Sequence, residues 1–391
     1  MLPFLLVAAV AALVTAVCSA GVLRLSRRFQ LTPEVRERDV HKQPTPRLGG
    51  IAMFIGILVA LIYAGTQTAF DGVFDDPARL WVLLGACTLI AVVGVLDDLL
   101  DLDWMVKLGA QLAAAGLLAW NGIQIVSLPF GDTLIVGSPT VNFVLTVFLM
   151  TLVMNAVNFV DGLDGLVAGV AIIANAAFFI YTQLLTAQTG ADSSITLAAL
   201  IAATIVGISA GFLPFNWHRA RMFMGDTGAL LIGLLMATST VSVTGQLNPA
   251  QLDQKLVLAS YIPIILPIAV LAVPLADFTL AVCRRLLAGK SPFEADRKHL
   301  HHRLLDMGHS PLQAVMIFYL WTVMVSLACL LVFVTQSFFW PAVVVVVGGV
   351  VCMIITLTPL VRVRNWLTQR GLLRLSRASK AEPAEERISS D

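Results

Sequence analysis

Runs of about 20 apolar residues follow one another along most of the 391-residue chain, and that is the length a helix needs to cross the roughly 30 Å hydrocarbon layer of a bilayer. Hydrocarbon offers no partners for backbone N–H and C=O groups, so such runs must satisfy them internally and fold as helices. Eleven spans fit: about 2–23, 49–65, 80–96, 105–120, 141–160, 165–186, 194–213, 227–244, 256–283, 313–335 and 339–361. The expected fold class is an all-α polytopic membrane protein, with 1–377 as one integral-membrane domain and 378–391 as a disordered cytoplasmic tail. Pro263, Pro267 and Pro274 lie inside the ninth span and predict a kinked or broken helix. Between the fourth and fifth spans, "IQIVSLPFGDTLIVG" carries two β-prone runs around a turn signal, which predicts a small external β-hairpin near 123–136. The first apolar stretch has its charges after it and no basic segment before it, so it reads as a retained helix, not a cleaved leader. The five cysteines show no paired spacing, which argues against a disulfide framework or a zinc site.

Charge sets the orientation. When loops are assigned alternately from the first helix, all of the 25 Lys and Arg except Arg79 and Lys255 fall on one side. Positive charge accumulates in the cytoplasm, so the N-terminus is expected outside and the C-terminus inside. The same partition puts Asp97, Asp98, Asp101, Asp161, Asp164, Asp226 and all six histidines on the cytoplasmic side. A net charge of +1 gives no electrostatic reason to expect nucleic acid as a partner.

Polar groups at the edge of hydrocarbon are costly, and are functional candidates for that reason. In "GVLDDLLDLDWMVK", Asp97, Asp98 and Asp101 are spaced to cluster on a helical extension. Clustered carboxylates repel unless a cation or a proton is shared, although a solvated helix end reads similarly. Lys107, in the same loop, could offset that charge or grip a phosphate. In "NAVNFVDGLDGL", Asn155, Asn158, Asp161 and Asp164 recur every three residues. Amides and carboxylates are the hard oxygen ligands that Mg²⁺ uses beside water and phosphate. In "RMFMGDTGAL", Asp226 opens the eighth span and reads either as a ligand or as an N-cap. Phe223, three residues earlier, could stack on a base or anchor the interface. The cationic cluster "DRKHLHHRL" brings His299, His301, His302 and Arg303 together without a cysteine, a pattern suited to a polyanion. "HKQPTPRLGG", with His41, Lys42 and Arg47, could draw a lipid phosphate toward the second span or simply enforce topology. Acids suggest a divalent metal and bases suggest phosphates; both on one face suggest metal-bridged phosphoryl chemistry.

These motifs, in this order over roughly 41–309, resemble the polyprenyl-phosphate N-acetylhexosamine-1-phosphate transferases, and the histidine loop resembles their WecA-type bacterial branch. The resemblance implies transfer of GlcNAc-1-phosphate from UDP-GlcNAc to undecaprenyl or decaprenyl phosphate, with UMP released, at the cytoplasmic face of the bacterial inner membrane. It implies Mg²⁺, or Mn²⁺ in its place, as cofactor, with membrane lipid around the site and a homodimer as an admissible assembly. It implies that Asp226 binds the metal with Asn158, that Asp97 and Asp98 are the paired catalytic acids, with Asp98 also near the ion, and that Lys107 lies beside the phosphates. It further implies that Phe223 stacks on uracil, that Asn155, Asp161 and Asp164 line the nucleotide-sugar pocket, and that the histidine loop contacts sugar or pyrophosphate. Two rivals follow. A phospho-MurNAc-pentapeptide transferase usually carries three consecutive histidines where this chain has His299-Leu300-His301-His302. An ion-coupled transporter would hold its carboxylates near the bilayer midplane.

Overall fold

The structure is a computed structural model that describes residues 1–29, 45–125, 127–130, 133–190, 193–244 and 304–358, with Ile265 and Leu287 besides. It is an all-α polytopic membrane protein. The helices are α1 (Leu2–Arg28), α2 (Gly49–Ala64), the short α3 (Asp71–Phe74), α4 (Pro77–Leu100), α5 (Trp104–Trp120), α6 (Pro139–Val160), α7 (Leu166–Thr189), α8 (Ser193–Asn216), α9 (Gly225–Thr244), α10 (Pro311–Thr335) and α11 (Phe339–Leu357). Among the described residues eight helices are long and apolar enough to cross a membrane, or nine if α2 and Thr68–Phe74, bent by 98°, count as one span. The difference from eleven has plain sources. The second and fourth expected spans are helices of 16 and 17 residues, and the ninth, with its three prolines, lies outside the described residues, as does the tail from 359. Two strands, β1 (Ser127–Phe130) and β2 (Thr133–Val136), pair antiparallel with Phe130 opposite Thr133.

Helix ends follow local chemistry. Ser138 accepts the Val141 N–H ahead of a proline-led α6, Asp103 accepts the Met105 N–H ahead of α5, and Ser310 forms a capping box with Gln313 before α10. Asp101 closes α4 with φ at 55°, a left-handed cap that stops the helix three residues after Asp98.

The bundle is organised around α9, whose transmembrane window is wholly buried, whereas only 11% of the α11 window is. α9 packs against α2, α4, α6 and α8. Membrane helices gain little from apolar burial against apolar lipid, so close approach of backbones supplies much of the attraction. Gly94 of α4 shows what that requires, because a Cβ there would fall 2.6 Å from the Cα of Thr227 on α9. Gly50 of α2 likewise faces the backbone of Gly228 with no room for a side chain. Gly94→Ala is expected to destabilise the detergent-solubilised protein by about 1–3 kcal/mol, the usual range for overpacking; an unchanged thermal midpoint would show that α4 and α9 can separate freely.

Helix directions place one set of ends together. The N-terminal turns of α2, α5, α7 and α9 meet the C-terminal turns of α4, α6 and α8, through contacts among Phe223, Gly49, Asp98, Asp226, Lys107, Gly165 and Asn216. Tyr319, in the third turn of α10, donates to the Gly165 carbonyl, and His309 bonds the Thr356 carbonyl at the end of α11. The candidate residues gather at this end of the bundle.

Candidate active site

Asp97 and Asp98 are neighbours on α4, and they serve different partners. Asp97 accepts the Leu102 N–H at 2.9 Å through Oδ1 and the Lys107 ammonium at 3.1 Å through Oδ2. The first bond is local and closes the turn into α5; the second is an ion pair that fixes the carboxylate, which is only 6% exposed. Asp98 turns the other way. Its Oδ1 accepts the Asp226 N–H at 2.9 Å, and its Oδ2 accepts the Thr227 hydroxyl at 2.7 Å and the Thr227 N–H at 3.3 Å. A helix leaves its first N–H groups without intrahelical partners, so α4 caps α9 from outside. Gly225, with φ at 70°, lets the carboxylate in, because a Cβ there would collide with both Asp98 oxygens and the Arg47 carbonyl. The three acids Asp97, Asp98 and Asp101 therefore do not form one cluster: the left-handed turn at Asp101 removes it from the helical face that the spacing predicts.

With its own turn already capped, Asp226 is free to face the site. Its Oδ2 lies 3.2 Å from Lys107 Nζ, its side chain is 31% exposed, and the side chains of Asp97 and Asn158 lie within interaction range. Lys107 thus contacts both a sealed carboxylate and a more open one, which also lie within hydrogen-bonding range of each other. Asn155, one helical turn before Asn158, donates to the Gln111 side chain and to the Thr151 carbonyl, which fixes which way its amide faces.

Asp164 and Asn216 build the wall. Asp164 Oδ2 accepts the Ala220 N–H at 3.0 Å, with His218 Nδ1 at 3.9 Å. Asn216 accepts the Gly165 N–H at 2.9 Å and donates to the Met222 carbonyl at 3.1 Å. These bonds tie the α6–α7 turn to the α8–α9 loop. The loop in turn caps α2, whose Gly49 and Gly50 N–H groups donate to the Phe223 and Met224 carbonyls at 3.0 and 2.8 Å, while the Phe223 N–H donates to the Pro46 carbonyl. Phe223 is half-buried beside the stretch that carries Arg47. His41, Lys42, His299, His301, His302 and Arg303 lie outside the described residues.

Asp161 sits half-buried just past α6. Burial and the negative charges of Asp226, Asp98 and Asp164 push its carboxyl up to about 8, against the opposing charge of Arg47. The folded protein then holds a proton that the unfolded chain, with the ordinary value of 3.8, releases. That contribution to stability is complete below the ordinary value, declines as pH rises toward 8 and is absent above it. In EDTA, thermal stability is expected to fall over this window, and Asp161→Asn to flatten the fall; an equal slope in both proteins would remove Asp161 as the cause.

Do these residues fit a divalent cation? Among the described residues no group of three or more His, Cys, Asp or Glu forms a metal cage. Mg²⁺ does not ask for one, because it binds through one or two carboxylates and takes its remaining oxygens from water and substrate phosphate. Asp226, open and flanked by the Asn158 amide, supplies that kind of donor. The excess of negative charge that raises Asp161 is what a cation would relieve. The donor set fits.

Residues 80–244 match glycosyl transferase family 4. Over 363 residues, 91% of this chain, the sequence is 38% identical to the decaprenyl-phosphate N-acetylglucosaminephosphotransferases of Mycolicibacterium smegmatis and Mycobacterium tuberculosis, covering 88% and 89% of those proteins. It is 28% identical over 299 residues to the undecaprenyl-phosphate alpha-N-acetylglucosaminyl 1-phosphate transferase of Escherichia coli K12, covering 74% of this chain and 73% of that one. The chain belongs to the polyprenyl-phosphate N-acetylglucosamine-1-phosphate transferase family. The family uses a divalent cation in phosphotransfer, and its matched region runs from α4 to the end of α9. Several residues that shape this site were not singled out from sequence: Thr227, Asn216, Gln111 and Tyr319. A polar residue in or at the end of an apolar run, within five residues of a motif, was the available signal for Gln111 and Asn216.

Proposed function

We propose that this protein transfers GlcNAc-1-phosphate from UDP-GlcNAc to a polyprenyl phosphate and releases UMP, a lipid-linked first step in cell-envelope polysaccharide synthesis. The likeness over 91% of the chain to proteins named for that reaction carries the reading. The acceptor is decaprenyl phosphate in the names of the 38% identical relatives and undecaprenyl phosphate in that of the 28% identical one. An oxygen of the lipid phosphate attacks the β-phosphorus of the donor, and the bond to the UMP oxygen breaks. At neutral pH a phosphate monoester is already mostly ionised (second pKa about 6). Asp97, sealed and paired with Lys107, is therefore assigned to orienting the nucleophile's neighbourhood more than to removing a proton. Asp226 and Asn158 would hold Mg²⁺, which would supply charge neutralisation for the pyrophosphate. Lys107 meets the phosphates, Asn155, Asp161, Asp164 and Phe223 line the nucleotide-sugar side, and the loop with His299, His301, His302 and Arg303 contacts sugar or pyrophosphate. His41, Lys42 and Arg47 guide the lipid phosphate. Asp98, with both oxygens given to α9, is assigned to positioning Asp226. The test is UMP release by purified protein given UDP-GlcNAc, polyprenyl phosphate and Mg²⁺. Release that requires all three supports the reading; activity with only a MurNAc-pentapeptide donor, or none with any donor, overturns it.

The eleven-span topology with a cytoplasmic site belongs to the same proposal. Thr244 ends α9 about 27 Å from Asp226 at 1.5 Å per residue, whereas His309 and the start of α10 lie at the site end, which supports one further crossing by the ninth expected span. A reporter fused after Asp391 is expected to be cytoplasmic and one inserted near residue 250 exported. Finding both on one side would remove the odd count.

A further inference from the structure

Lys107 occupies an unusual place for a residue meant to meet substrate phosphate. Its ammonium lies 3.1 Å from Asp97 Oδ2 and 3.2 Å from Asp226 Oδ2. The two ends of this bridge are not equivalent. Asp97 is sealed and pinned through its other oxygen by the Leu102 N–H, whereas Asp226 is the open partner. A cation held by both is anchored at Asp97 and exchangeable at Asp226. We propose that Lys107 competes with the divalent ion for Asp226, and that the arriving pyrophosphate draws the ammonium off so that metal and nucleotide bind as a coupled pair. The inference rests on Asp226 being the metal carboxylate of the proposed reaction.

The physical argument is charge competition at one oxygen. An ammonium in contact with a carboxylate offsets the negative charge that a divalent ion needs, and two unit charges about 3 Å apart interact strongly wherever water is partly excluded. A small swing about the Asp97 anchor moves the Lys107 charge from Asp226 toward a phosphate, at the cost of one partner for another of the same sign. Donor binding then raises metal affinity, and by linkage metal raises donor affinity. Without Lys107 the two carboxylates, already within reach of each other, have no shared ammonium to offset their charge, and Asp226 favours a divalent ion even when no donor is present.

The test is Mn²⁺ binding by electron paramagnetic resonance to the full-length protein in detergent, with and without UDP-GlcNAc. Lys107→Met is expected to bind Mn²⁺ alone at least about tenfold more tightly than wild type, on the scale of one lost charge contact, and to gain less from UDP-GlcNAc than wild type gains. Lys107→Gln, which keeps hydrogen bonding to both acids, serves if the methionine variant does not accumulate, and Lys107→Arg should stay near wild type. Unchanged or weaker Mn²⁺ binding in the neutral variants overturns the proposal. The site assignment fails separately, if Asp226→Asn binds Mn²⁺ as wild type does in the presence of UDP-GlcNAc.

Discussion

Asp226→Asn is expected to lower UMP release by about 10²–10³-fold or more, the scale lost when an electrostatic group aimed at reacting charge is removed, while expression and thermal midpoint stay near wild type. The structure separates the two effects that this substitution would otherwise mix. An acid in the first turn of a helix is ordinarily suspected of capping it, but the α9 N–H groups are bonded to Asp98 from another helix. Asparagine at 226 leaves those bonds in place and matches the shape of the side chain it replaces. What it removes is one negative charge, on a side chain 31% exposed. Mg²⁺ leans on its one or two carboxylates, so neutralising one removes a large share of the protein's hold on the ion. Normal turnover by this variant at low Mg²⁺ would end the metal assignment.

Asp98→Ala should do the reverse in kind: it should fold poorly. Three donors, the Asp226 N–H, the Thr227 N–H and the Thr227 hydroxyl, lose their acceptor together. Each unsatisfied buried donor costs roughly 1–3 kcal/mol, and the loss of an anion at a helix N-terminus adds about 0.3–1 kcal/mol. Even the lower end of that total, about 3 kcal/mol, is a large part of a typical folding free energy. Asp98→Asn keeps one acceptor and should lose less. A fully stable but inactive Asp98→Ala protein would contradict this account and return Asp98 to the chemistry itself.

Hydropathy made the helices legible because lipid imposes one rule on every residue of a span. It also located the candidate acids, since charge at the rim of an apolar run stands out whatever its partner. The division of labour between Asp97 and Asp98 was not legible. Adjacent residues on a helix point about 100° apart, and what each meets is decided by chain 10 residues away in one case and 129 in the other. The left-handed stop at Asp101 was missed for a related reason, because the three-and-four spacing of acids reads as helix wherever the chain allows one. The bend after α2 had no proline to announce it. Asp226 carried two readings in the sequence, cap and ligand; the structure gives the cap to Asp98 and leaves the ligand reading as a proposal.

The enclosure of α9 bears on how the protein is assembled. Its hydroxyls at 238, 239, 240, 242 and 244 bond back to carbonyls of their own helix, so the segment can enter lipid without stranding a donor. Yet it presents no face made for lipid, and its described neighbours, α2, α4, α6, α7 and α8, are all synthesised before it. A ribosome delivering this chain has therefore already made every helix of that collar when α9 emerges. The carboxylate of Asp98 is waiting before the amides it will hold have been made.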